Sequence, residues 1–240
     1  MKSLIQNAIT YCKRGINSSM LSVAEISIPV LVSGYGYPVS ADQSRRQSKA
    51  LKRRQVGILY ADVADYTRLT EEDEEGTHLR LVEIMQVMKK HVNASHGRVA
   101  HFAGDAILAE FEDADSALHC AINMQLAVRR WNADLDSNHQ VRFRIGVNFG
   151  DVITKEGNIY GKAVNLAARL ESLAGTGGIC VSDTARSNLT SPSRLKFVSM
   201  GKRYVKNINQ PVQAFWIEVD AQQVEDIDLT SAVKVSAVTS

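Results

Sequence analysis

"HFAGDAILAEF", residues 101–111, breaks at Gly104-Asp105 into two short apolar runs, and a Gly-Asp pair between such runs is a turn signal. The segment predicts a β-hairpin with the Asp105 carboxylate at its tip. Upstream, "QVGILYADV" (55–63) is a near-continuous apolar run of strand length, ending at Asp62. Between the two, "EEGTHLRLVEIMQVMKKHV" (74–92) sets Leu81, Met85, Met88 and Val92 at helical spacing, with acids in the first turn and Lys89, Lys90 and His91 near the end. This predicts a helix laying one face on a sheet. In a βαββ unit the first strand lies beside the hairpin, so Asp62 and Asp105 are expected to converge. Two carboxylates on rigid neighbouring elements form a hard-oxygen site suited to Mg²⁺ or Mn²⁺ with substrate phosphates. Taken singly, Asp62 reads equally well as a cap and Asp105 as an ordinary turn residue. Asp65, just before "YTRLT", is expected as a turn or N-cap residue.

Working outward, residues 113–135 predict a second helix with Ala117, Ala121, Met124, Val128 and Trp131 on one stripe. "QVRFRIGVNFGDVI" (140–153) predicts a strand, "GKAVNLAARLESLA" (161–174) a helix, and "GGICVS", "LKFVSMGKRYVK" and "PVQAFWIEV" three more strands. The order is βαββαβ with an added αβ and a terminal hairpin, an α/β (α+β) class with a mixed sheet covered by helices. On the third helix Asn165 and Arg169 are four apart and share a face. An amide beside a guanidinium suits a ribose and a phosphoryl group. The spacing alone is equally that of an exposed polar face over buried Val164, Ala167 and Leu170.

Residues 1–54 are expected to be an N-terminal extension with a short helix at its start, and residues from about 221 a frayed tail. The extension ends in "QSRRQSKALKRRQ" (43–55), with six basic residues and no acid. It reads first as a solvated helix or linker and second as a patch for nucleic acid or anionic lipid. The whole chain of 240 residues carries only +2, so charge argues for neither as the main partner. Cys12, Cys120 and Cys180 lack any CxxC companion and fit a reducing compartment, as packing residues. The longest apolar stretch, "ISIPVLVSGYG" (26–36), is broken by Pro29 and Gly34 and falls short of the roughly 18 residues a span needs. With no signal-peptide pattern, the expectation is a cytoplasmic protein without a membrane span.

"YADVADYTRLTE" (60–71), "GRVAHFAGDAILAEF" (97–111), "RFRIGVNFGDV" (142–152), "IYGKAVNLAARLES" (159–172) and "YVKNINQPVQAFWIEV" (204–219) follow one another in an order and spacing that resemble the class III nucleotidyl cyclase catalytic domain, over about residues 55–219. The resemblance implies a ferredoxin-like fold and conversion of a nucleoside triphosphate to a 3′,5′-cyclic nucleotide and pyrophosphate. It implies two Mg²⁺ or Mn²⁺ ions on Asp62, Asp105 and the carbonyl of Val63, a transition-state pair Asn165 and Arg169, and a triphosphate-binding Lys206. Residues after Asp62 are expected to cradle the β- and γ-phosphates at the next helix. It further implies a homodimer with two composite sites at the subunit interface, and no nucleic-acid partner.

Adenine-specific members of that family carry a lysine four residues before the second metal aspartate and an aspartate seven before the asparagine. His101 and Asn158 stand there instead. Each donates or accepts, matching neither the adenine nor the guanine edge cleanly and fitting uracil's acceptor–donor–acceptor row, with Phe102 or Tyr160 placed to narrow the pocket. In this the chain resembles the pyrimidine cyclases of bacterial anti-phage defence (Pycsar), which make cyclic UMP or cyclic CMP as an alarm signal for an effector. The expectation is therefore UTP, then CTP, with an adenylate cyclase and a catalytically inactive nucleotide-binding module as alternatives.

Overall fold

The structure, a computed structural model, describes residues 52–190, 195–206, 208 and 210–218. The expectations for the first helix, for Cys12, for the basic stretch up to Leu51 and for the C-terminal tail lie outside the described residues. Everything described falls within the unit Arg45–Ser240.

Strand β1 (Lys52–Val63) is the axis of the sheet. It pairs antiparallel with β3 (Ala106–Phe111) on one side and β4 (Phe143–Lys155) on the other. Beyond β3 lies β2 (Arg98–Ala103), and beyond β4 come β6 (Ile179–Ser182), β8 (Val212–Glu218) and β7 (Lys196–Arg203), with the short β5 (Asn158–Tyr160) folded back on β4. The β4–β6 pair is parallel and the other pairs antiparallel, giving the mixed sheet the pattern predicts. Alternation sorts the side chains of β1: Leu59, Ala61 and Val63 join one core, whereas Val56, Ile58 and Tyr60 join another on the opposite face.

The first face is covered by α2 (Glu74–Ala94) and α3 (Ala114–Trp131), the second by α4 (Lys162–Leu173). In α2 Leu81, Met85, Met88 and Val92 are buried as expected, joined by Ile84. Asp73 caps it, accepting from Gly76 N at 2.9 Å, and this bond together with Arg80 holds its carboxyl below the usual range. In α3 the stripe from Ala117 to Val128 is buried and Trp131 packs at its margin. Cys120 and Cys180 are free thiols in the core, pushed up to about 12 by burial.

Two features depart from the sequence reading. Strand β1 begins at Lys52, so the end of the basic stretch is strand and not linker. Lys52, Arg53 and Arg54 pair with Thr154, Ile153 and Val152 of β4, and Arg54 lies 2.5 Å from the buried carboxylate of Glu110 on β3. The short helices α1 (Tyr66–Glu72) and α5 (Asp183–Ser187) and strand β5 occupy places where the sequence reading has no element. Asp65 is, as expected, a turn residue at the N-cap position of α1, with a left-handed φ of 57° and no side-chain capping bond. Helix α5 is capped by Ser182, which accepts from Ala185 N at 3.0 Å.

Candidate active site

Asp62 is the penultimate residue of β1, and Asp105 is the second residue of the two-residue β2–β3 turn. Gly104 takes φ 61° while Asp105 stays out of the left-handed region, the pattern of a type II′ hairpin turn. Because β1 pairs with β3 as far as Ala61 and Ile107, the two acids stand just beyond the last pair on adjacent strands. Burial, then the Asp62 carboxylate, push Asp105 up to about 7, against the opposing pull of Arg144.

Arg144 lies opposite Asp62 in the β1–β4 register. One terminal nitrogen is 3.4 Å from Asp62 Oδ2, and Nε is 2.6 Å from Oε1 of Glu171, a buried carboxylate on α4. Burial raises the Glu171 carboxyl and Arg144 lowers it, with burial the larger effect. Tyr60, two residues before Asp62 and so on the same face, is a site residue that motif reading missed. Its phenol is pushed up to about 12 by burial, then by Asp62, Glu171 and Asp105, while Arg169 acts in the opposite sense. The signal was available in the period of two along β1. Arg169 therefore lies on the side of the sheet that carries both aspartates.

Helix α4 presents Asn165 exposed and Arg169 half-buried, one turn apart, over the buried stripe Val164, Ala167 and Leu170. Gly146 of β4 lets it sit this low. A Cβ there would fall 2.1 Å from the carbonyl oxygen of Ala167 and 2.4 Å from the Glu171 nitrogen. The first turn of the helix is fastened by buried Asn148, which donates to the Ala163 carbonyl at 2.9 Å and accepts from Ser182 Oγ at 2.6 Å and Thr184 Oγ1 at 3.1 Å.

The positions singled out for base recognition, His101 and Asn158, lie on β2 and β5. A bulge between Val99 and His101 leaves His101 paired with Leu108. Without the extra residue, the register set by Arg98 and Glu110 would bring His101 opposite Ile107, whose side chain belongs to the α2–α3 core. Instead it shares the α4 face with Leu108. Phe102, paired with Ile107, lies on the other face and is no neighbour of His101 in a common pocket wall. Strand β5 touches β2. Ile159 faces the core, so Asn158 and Tyr160 share the opposite face of β5. Lys206 is exposed in the turn between β7 and β8.

Two facing carboxylates served by one guanidinium, itself shared with Glu171, leave surplus negative charge, and their hard oxygen donors fit divalent cations. Val63 follows Asp62 at the end of β1, where its carbonyl is next in line. Among the described residues no group of three or more His, Cys, Asp or Glu side chains converges. A cleft of about 360 Å³ between α3 and the loops before β4 and β6, walled by Gln125, Arg129, Arg142 and Gly177, contains none of the site residues named above. No helix among the described residues is long and apolar enough to cross a membrane.

Comparison with known proteins gives this arrangement a lineage. A Rhizobium meliloti protein provisionally named adenylate cyclase 3 is 38% identical over 165 residues, covering 68% of this chain and 28% of its own length. An adenylate cyclase of Streptomyces coelicolor is 34% identical over 133 residues, 55% of this chain and 33% of that protein. The chain thus spans about a third or less of the length of these relatives. Among solved structures, an adenylate/guanylate cyclase/hydrolase from Silicibacter pomeroyi superposes with a TM-score of 0.66 at 34% identity, covering 71% of this chain and 99% of that one. Residues 49–219 match the family described as the adenylate and guanylate cyclase catalytic domain, and the chain belongs to that class III cyclase family.

Proposed function

We propose that two copies of this chain form a metal-dependent cyclase that closes a nucleoside triphosphate to its 3′,5′-cyclic monophosphate and releases pyrophosphate. The observation that carries this reading is the facing of two carboxylates, Asp62 at the end of β1 and Asp105 in the β2–β3 turn. Asp62, Asp105 and the carbonyl of Val63 would hold two Mg²⁺ or Mn²⁺ ions, which when bound supply Lewis acidity and charge neutralisation at the reacting phosphates. The remaining work falls to the protein's own groups. Arg169 meets the negative charge that grows on the α-phosphate and the departing oxygen, and Asn165 orients the ribose so that its 3′-oxygen is in line. Lys206 and the backbone N–H groups entering α1 bind the β- and γ-phosphates, and Arg144 keeps Asp62 aligned. One copy supplies the aspartates and the other the Asn165–Arg169 pair, so that each dimer contains two sites.

For the base, adenine is the first reading, because the relatives of this chain are named adenylate cyclases. A pyrimidine is the second, favoured by His101 and Asn158 in place of lysine and aspartate; in that reading cyclic UMP or cyclic CMP serves as a defence signal. The experiment is product identification with ATP, GTP, CTP and UTP supplied separately with Mn²⁺. Cyclic AMP supports the first reading, and a cyclic pyrimidine nucleotide replaces it with the second. No product from any of the four, with folded dimeric protein, would overturn the cyclase assignment.

A further inference from the structure

Glu110 is an unusual residue for an interior strand of a sheet. Its side chain is 5% exposed, and two arginines converge on it: Arg54 of β1 at 2.5 Å from Oε2, and Arg98 of β2, with Nε at 2.7 Å and a terminal nitrogen at 2.5 Å from Oε1. A buried carboxylate needs a cation, but one guanidinium satisfies the charge. The second does something else. Arg98 uses its remaining terminal nitrogen to donate to the carbonyl of Gly157, which is 59 residues away in sequence.

Gly157 and Glu156 form the two-residue turn between β4 and β5, since Lys155 pairs with Asn158. Both have left-handed φ, 51° at Glu156 and 79° at Gly157, the arrangement of a type I′ turn. For glutamate this conformation costs on the order of 1 kcal/mol, so the turn benefits from an external hold. The residue released from the turn is Asn158. On the other side, Arg98 begins β2 and His101 follows three residues later, across the bulge. One guanidinium, braced on Glu110, therefore touches both elements that carry the base-reading positions.

We propose that Arg98 is a positioning residue for base selection: by bridging Glu110 and the Gly157 carbonyl it fixes the spacing between His101 and Asn158. The inference rests on the reading of those two residues as base contacts. A guanidinium is suited to the task because its planar fork binds a carboxylate along one edge and a carbonyl with the remaining nitrogen, whereas a lysine ammonium is a single point charge.

The test compares kcat/KM for the four nucleoside triphosphates in the full chain and in Arg98→Lys, Arg54→Lys, His101→Ala and Asn158→Ala. Arg98→Lys keeps the charge on Glu110 and loses the reach to Gly157. It is expected to lower discrimination between the best and second-best nucleotide by about tenfold, mainly through KM of the preferred one, while its kcat falls much less. Arg54→Lys, on the other oxygen of the same carboxylate, is expected to leave discrimination unchanged. Equal loss in the two lysine variants would assign the effect to Glu110 and the stability of the sheet, and would overturn the proposal. Unchanged discrimination in Arg98→Lys, with altered discrimination in His101→Ala or Asn158→Ala, would overturn it and leave the base-reading assignment standing. Unchanged discrimination in those two alanine variants would remove that assignment and the proposal with it. If Arg98→Lys does not fold, Arg98→Gln is measured against the same outcomes.

Discussion

Asp105 opposes stability and serves chemistry for the same reason: it is a half-buried carboxylate facing the carboxylate of Asp62, with Arg144 divided between Asp62 and Glu171. In metal-free protein, Asp105→Asn removes the repulsion without changing the shape of the tip, so a higher Tm than that of the unaltered chain is expected in thermal denaturation. The same substitution is expected to abolish turnover, as is Asp62→Ala; substantial product at saturating Mn²⁺ in either would refute the metal-ligand assignment. Arg169→Ala belongs with the transition state. If its contact is made mainly as charge develops, kcat falls by at least about a hundredfold while KM moves little, and steady-state kinetics distinguishes this from a ground-state contact, which would raise KM with kcat intact.

At the scale of elements, the site depends on how low α4 rides on β4. Gly146 supplies the gap, Asn148 fastens the first turn of the helix and Glu171 reaches down to Arg144 near its end. A methyl at 146 would meet helix backbone at 2.1 Å, and no rotamer change relieves a clash with a carbonyl oxygen. Gly146→Ala is therefore expected to destabilise the domain by about 2 kcal/mol or more in denaturant titration, with activity lost in proportion to the displacement of Arg169. A neutral effect would mean that the helix approaches less closely. The bulge in β2 works in the same way, for a single extra residue decides which face of the hairpin receives His101.

At the scale of the molecule, the expectation is shared sites. Mixing Asp62→Ala protein with Arg169→Ala protein should restore activity that neither has alone, because a heterodimer retains one intact combination of aspartates and Arg169. Mass measurement by light scattering establishes that the mixed species are dimers. Dimers without recovered turnover would place both residues in one copy's site.

The sequence by itself determined the longer strands and helices and their order, because each carries its own periodicity: two along β1, and 3.6 along α2 and α3. It also marked Asp62, Asp105, Asn165 and Arg169, since a motif states which residue types stand at which spacing. Short elements without room for a period, α1, α5 and β5, were not legible there, nor was the absorption of Arg54 into β1, whose partner Glu110 is more than fifty residues away. Only the tertiary structure decided which side chains share a face and a charge environment. Tyr60 among the carboxylates, the link from Asp62 through Arg144 to Glu171, the strut from Arg98 to Gly157, and the separation of Phe102 from His101 all follow from register, a bulge and a helix resting on a glycine. Those are relations between distant segments, and they exist only once the chain has paired its strands.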